Sequence, residues 1–265
     1  METTIYYFSA TGNSYYLASS LANKLENCKI TSMVKAVKAN SIEVNTPKVG
    51  FVFPVYAWGM PRIVEEFVNK IVIPKESYVF AIVTCVAIPG NTLKDLSKLL
   101  HMKGNRLQVG YVTKSGRSSL MKLNSLDKVI MLLDTQRGKI RHFEERLPEF
   151  VNDINNKVKR SPETSNRAAS VFGSFFHKMG ISAFKTIDSQ FTVSEECTQC
   201  GTCVKVCPRN NIELKPDGPT FMHNCELCHA CIQWCPKFAI RHPNFDDEPK
   251  QYRNCNVRVS EIIGN

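Results

Sequence analysis

Eleven cysteines occur in 265 residues, and eight of them fall between Cys197 and Cys235. They form two quartets of identical spacing. Cys197, Cys200, Cys203 and Cys207 are followed by Pro208, and Cys225, Cys228, Cys231 and Cys235 are followed by Pro236. Three cysteines at two-residue gaps let one tight loop wrap three corners of an iron–sulfur cubane, while the fourth enters a helix and points elsewhere. Structural zinc also uses paired Cys-x-x-Cys, but a zinc ion takes four ligands and leaves the regular triplets and both Cys-Pro steps unexplained. Two [4Fe–4S] clusters are the expectation. Each cysteine of the first quartet recurs 28 residues later, and this internal repeat marks out a small C-terminal unit.

Residues 191–243 resemble the bacterial two-cluster ferredoxins. The resemblance implies crossed ligation, with Cys197, Cys200, Cys203 and Cys235 on one cluster and Cys225, Cys228, Cys231 and Cys207 on the other. Cys28, Cys85 and Cys255 stand outside the pattern and read as bystanders, buried by default. The histidines show no ligand spacing; His223 and His229 are expected to line the cluster loop, and Trp234 to pack in the core. No export signal accompanies the cysteines, so a reducing, anaerobic cytosol fits better than a secreted disulfide scaffold.

A second chemical feature lies near the N-terminus. Ser9-Ala10-Thr11-Gly12-Asn13-Ser14 follows a short β-branched and aromatic run and leads into a helical stretch. Hydroxyls and backbone N–H groups at a helix N-terminus can surround a phosphate. The loop is neither Walker A nor the Rossmann Gly-x-Gly-x-x-Gly, which weighs against ATP and NAD. The plainer alternative is an ordinary turn in which Asn13 or Ser14 caps the helix.

The run IYYFSATGNSYYLASSL closely resembles the flavodoxin phosphate-loop signature, with Ser14 where threonine is commoner, and the likeness extends over roughly residues 1–155. It implies FMN, with its phosphate on residues 9–14 and its ring on two later loops. The first is Tyr56-Ala57-Trp58-Gly59-Met60, where an aromatic can stack on the ring and Gly59 can let its peptide turn. The second, Ala87-Ile88-Pro89-Gly90-Asn91, lacks the flavodoxin aromatic, which leaves one ring face to a partner or to the cysteine-rich unit. Met60-Pro61-Arg62 stands where flavodoxins often place acids, so a less negative flavin potential is expected.

These residues need elements to position them. Strands are predicted at 3–9, 29–34, 49–56, 77–86 and 107–113, with helices after the phosphate loop, from Pro61 to Lys70 and from Asn91 to Met102. Strands alternating with helices argue for a doubly wound parallel sheet. Ile130, Leu133, Ile140, Phe143, Leu147, Phe150 and Ile154 read as the buried stripe of later helices, and Phe172, Phe175, Phe176 and Met179 as an amphipathic linker helix. The expected fold is therefore α/β, a flavodoxin-like sheet with a second, small α+β ferredoxin-like two-cluster domain. The expected boundaries are 1–159 for the FMN-binding domain, 160–190 for the linker, 191–243 for the cluster domain and 244–265 for a tail. Taken together, the two likenesses resemble the fused flavodoxin–ferredoxin proteins.

With 43% hydrophobic and 22% charged residues, a globular core is available. The longest apolar run, Tyr78 to Pro89, is too short to cross a bilayer, and a soluble cytoplasmic protein is expected. The basic excess sits in residues 1–190, with 26 Lys/Arg against 15 Asp/Glu, whereas residues 191–265 carry 8 against 9. Residues 101–185 alone carry 16 against 7, a surface suited to steering an acidic redox partner. The reading is electron transfer between FMN and the clusters, to or from a redox partner. A flavin-dependent reductase of a small molecule is the alternative. A redox-sensing nucleic-acid-binding or regulatory protein ranks lower, because no nucleic-acid motif accompanies the basic bias.

Overall fold

The computed structural model describes residues 2–86, 88–116, 122, 141–166, 177, 184–245 and 250–263. Its N-terminal half is built on five strands: β1 (Thr3–Tyr7), β2 (Cys28–Ser32), β3 (Lys48–Pro54), β4 (Tyr78–Cys85) and β5 (Leu107–Lys114). All pair in parallel, in the spatial order 2-1-3-4-5. That is the flavodoxin-like doubly wound order, with its switch point between β1 and β3. Every residue of β4 is buried, because helices cover both faces of the sheet.

Helix α1 (Asn13–Ala22) packs on one face through Leu17 and Leu21, beside α4 (Phe143–Asn155), which contributes Phe150 and Ile154. On the other face lie α2 (Arg62–Lys70) with Ile63 and Phe67, and α3 (Thr92–Met102) with Leu96 and Leu100. Of the expected later stripe, Phe143 is buried too and Leu147 packs against the same cluster. Ile130, Leu133, Ile140, Phe172, Phe175, Phe176 and Met179 lie outside the described residues. Beyond α4 the chain runs along β5, where the Arg160 and Glu163 N–H groups donate to the Gln108 and Gly110 carbonyls.

The C-terminal unit repeats itself in its backbone as well as in its cysteines. Gln199, Gly201 and Asn210 have positive φ, and so do their counterparts 28 positions on, Leu227, His229 and Phe238. Two short helices, α5 (Thr202–Val206) and α6 (Ala230–Gln233), each start just after such a residue. Around them pair two antiparallel ladders, β6 (Thr192–Val193) with β9 (Ile240–Arg241), and β7 (Ile212–Lys215) with β8 (Gly218–Phe221). A last helix, α7 (Val259–Ile263), packs against α5. Among the described residues no helix is long and apolar enough to cross a membrane.

The two units are joined by charged and polar contacts. Arg209 grips Glu66 through two bonds of 2.8 Å. Arg62 donates to the Cys225 carbonyl and pairs with Glu226 at 3.7 Å. The Arg62 charge is thus turned toward the cysteine loop.

Candidate functional site

A cavity of about 590 Å³ opens at the C-terminal ends of β1, β3 and β4. This is where doubly wound sheets bind ligands, and the volume is that of a cofactor site. Seven of the eleven residues proposed for FMN line it: Ser9, Ala10, Thr11, Asn13, Ser14, Tyr56 and Trp58. Gly12, Gly59, Gly90 and Asn91 are not among its lining residues. Gly12 turns the loop with φ +98° ahead of α1. A Cβ built on Gly90 would fall inside the Trp58 carbonyl oxygen, so the two candidate ring loops touch through backbone.

The first ring loop is a tight turn in which Tyr56 and Gly59 exchange two N–H···O bonds of 3.0 Å. Both central residues have positive φ, Ala57 at 44° and Trp58 at 61°. A bulky aromatic in that region is strained, and such strain gathers at functional sites. His177 ring atoms pack on Gly59, and its Nδ1 lies 3.1 Å from the Ala57 carbonyl. Burial lowers the pKa of this imidazole, which favours the neutral ring as donor to that carbonyl.

The opposite side of the cavity comes from Leu227, Cys228 and His229 of the cysteine-rich unit and from Phe184 and Ile187 just ahead of it. The sequence hints at such a wall only through the aromatic missing from the second ring loop, and it does not identify the residues that build it. Thr84, Cys85, Ser115 and Gly116 also line the cavity, and their positions at the ends of β4 and β5 are the signal that finds them. Cys85 is thus a cavity residue as well as a buried one. Of the other two bystanders, Cys28 is half-buried and Cys255 exposed. Ser14 Oγ and Thr84 Oγ1, 3.0 Å apart, tie the phosphate loop to β4.

The eight clustered cysteines divide between two small voids. Cys197, Cys200, Cys203 and Cys235 line one, and Cys207, Cys225, Cys228 and Cys231 the other, so each void takes three sulfurs from one quartet and the last from its repeat. Cys207 and Cys235 each accept a backbone N–H bond of 3.3 Å on sulfur, from Asn211 and Ala239, again 28 positions apart. Burial pushes the Cys203 thiol up to about 11 and the Cys225 thiol up to about 12. Buried thiols of this kind ionise when a cation binds them. Among the described residues no three His, Cys, Asp or Glu side chains converge on a single ion.

Three histidine and tryptophan positions complete the picture. His223 Nδ1 meets Asp188 at 2.9 Å. His229 lines both the large cavity and the second void. Trp234 packs in the core as expected, and in addition its indole N–H donates to the Ala10 carbonyl at 2.8 Å.

A family model of the flavodoxin domain matches residues 4–144, more than half of the chain. The chain belongs to the flavodoxin-domain family. A 4Fe–4S dicluster model matches residues 196–239, which makes the whole a flavodoxin–ferredoxin fusion. No curated protein matches this fusion. Among solved structures it is similar to rubredoxin oxygen:oxidoreductase from the anaerobe Desulfovibrio gigas, at 13% identity and a TM-score of 0.37 over 59% of this chain. It spans only 36% of that protein. It is also similar to the Trp repressor binding protein of Bacillus subtilis, at 12% identity, a TM-score of 0.34 and 60% and 99% coverage. A third is an FMN-dependent NADH-azoreductase of Bacillus anthracis, at 10% identity, a TM-score of 0.30 and 43% and 86% coverage. Likenesses this weak say nothing about activity. The domain pair itself supports an electron-transfer role through FMN and iron–sulfur chemistry.

Proposed function

We propose that the fusion is a cytoplasmic electron carrier in which one FMN and two [4Fe–4S] clusters form a continuous path to a separate redox protein. The observation that carries this reading is a shared wall: Cys228 and His229 line both the large cavity and the second cysteine void. FMN, when bound, supplies the junction between two-electron and one-electron chemistry, and the clusters supply one-electron steps.

In this reading Ser9, Thr11, Asn13 and Ser14 hold the phosphate with hydroxyl, amide and backbone donors, while Tyr56 and Trp58 line the ring. Burial, with Cys228 and Glu226 adding to it, holds the Tyr56 phenol well above its ordinary pKa, so it serves as a neutral wall. Cys207, Cys225, Cys228 and Cys231 hold the cluster next to the flavin. Cys197, Cys200, Cys203 and Cys235 hold the far one, and Cys200 is exposed, which favours that end for exchange with the partner. We assign the units as 1–159, a linker at 160–190, the cluster domain at 191–243 and a tail at 244–265. The basic surface of the first unit suits an acidic partner.

The test is anaerobic purification with determination of iron, sulfide, zinc and released flavin, followed by EPR after dithionite reduction. About eight iron, eight sulfide and one FMN per chain are expected. Zinc without sulfide after cluster reconstitution would refute the cluster assignment, and clusters without flavin would refute the FMN assignment.

A further inference from the structure

Residues 250–257 run from the cysteine-rich unit onto the phosphate loop. Their root is fixed to the end of α6: Gln251 Nε2 donates to the carbonyls of Ile232 at 2.9 Å, Gln233 at 3.3 Å and Cys235 at 2.8 Å. The Tyr252 N–H donates to Gln233 Oε1 at 2.7 Å. From that root the Asn254 N–H reaches the Thr11 carbonyl at 2.9 Å. The Tyr252 hydroxyl and Asn254 Nδ2 both donate to Asn13 Oδ1, at 2.9 and 3.2 Å. Val257 lies on Gly12, where an added Cβ would sit 3.0 Å from the Val257 Cβ.

These contacts sort the loop's polar groups by sign. The Ala10 carbonyl is taken by Trp234, that of Thr11 by Asn254 and that of Gly12 by Tyr16 in α1. The N–H groups of residues 10–14 meet no acceptor within the described residues. Because Asn13 Oδ1 is occupied twice, the side chain has its NH₂ left to offer, and Asn13 lines the cavity. The loop therefore faces the cavity with donors, the arrangement an anion requires.

We propose that Tyr252, Asn254 and Val257 form a clamp that holds the loop Ala10–Asn13 in its phosphate-receiving form. They are positioning residues, acting through Asn13 and the loop carbonyls, and the proposal rests on the FMN reading above. Tyr252 also packs on Gly116, but the clamp's bonds to Asn13 and Thr11 reach the phosphate loop, so its loss weakens FMN and spares riboflavin, which has the same ring without the phosphate.

The experiment uses full-length chain with its clusters intact and its flavin removed, titrated with FMN and separately with riboflavin by flavin fluorescence. In Tyr252→Phe/Asn254→Ala, FMN binding is expected to weaken about tenfold, from the loss of both hydrogen bonds to Asn13, with riboflavin affinity within about twofold of the parent. The single Tyr252→Phe, which keeps the ring, is expected to show a smaller loss in the same direction. Equal weakening of both flavins, or no change in either, overturns the clamp. A parent chain that takes up neither flavin removes the FMN reading and the clamp with it.

Discussion

Replacing Trp234 by phenylalanine removes one hydrogen bond from the joint between the two units and little else. The indole is buried among Ala10, Val206, Ala230, Val257 and Ile262, so a phenyl ring keeps most of its apolar contacts. What is lost is the N–H donated to the Ala10 carbonyl, leaving a buried acceptor without its partner. That costs about 1–3 kcal/mol. Opening the joint separates α6 and the segment rooted on it from the phosphate loop, so the same free energy is subtracted from the opening of the Asn254 bond to Thr11. At 1.4 kcal/mol per factor of ten, exchange of the Asn254 amide hydrogen should accelerate by roughly 5- to 150-fold. The assay is hydrogen exchange read by mass spectrometry on anaerobic holoprotein, with peptides covering 250–257, the loop 9–14 and strand β4. Acceleration confined to the first two supports the argument. Unchanged exchange at Asn254, or equal acceleration in β4, would refute it, the first because the bond carries no load and the second because the whole fold has loosened.

Other expectations follow from the same contacts. Cys207→Ser should halve the iron content and perturb the flavin's visible spectrum, whereas Cys235→Ser should halve the iron and leave that spectrum alone, because Cys207 shares its void with Cys228 beside the large cavity. Gly90→Ala should weaken flavin binding and alter Trp58 fluorescence. The new Cβ meets the Trp58 carbonyl at φ +57°, a backbone region that alone costs about 1–2 kcal/mol for a side-chain-bearing residue. Arg146→Met should destabilise the flavodoxin domain by about 2–4 kcal/mol in anaerobic urea unfolding, since the buried guanidinium serves the Val112 carbonyl, Glu149 and Glu163 at once. Arg146, helped by Arg160 and Arg141, holds the Glu149 carboxyl below its ordinary value of 4.5 against the opposing effect of burial. A lowered carboxyl pKa contributes stability that is complete above 4.5 and lost as the pH falls through the lowered value. The Tm gap between the parent and Glu149→Gln should therefore be constant from pH 7 to 5.5 and narrow below about 4.5.

Much of this molecule is legible in its sequence because the decisive features are local. A two-residue gap between cysteines fixes how a loop curls, and the 28-residue recurrence reappears in the left-handed positions Gln199/Leu227, Gly201/His229 and Asn210/Phe238. The apolar runs at 49–54 and 78–83, which lack alternation, show that helices cover both faces of their strands. What the sequence hides is long-range. Nothing in Leu227 or Phe184 marks them as cavity walls, and Arg62, read beside the flavin loop, spends its charge on Cys225 and Glu226 instead. Trp234 reads as core and is core; its second role depends on where the Ala10 carbonyl points, which no periodicity encodes. Residues 250–257 have neither strand nor helix pattern, because their bonds go to other segments rather than along their own backbone.

Asn13 and Asn254 touch across 241 positions of chain. A ribosome makes the first long before the second, and both cysteine quartets emerge in between. The nascent N-terminal fold can assemble its sheet early, since β1 to β5 come from the first 114 residues. Its phosphate loop, however, stays without its outer supports until the segment beyond Cys235 has been synthesised and docked. The order of biogenesis is thereby written into the contact: a loop translated well before the cysteine quartets is completed only after them.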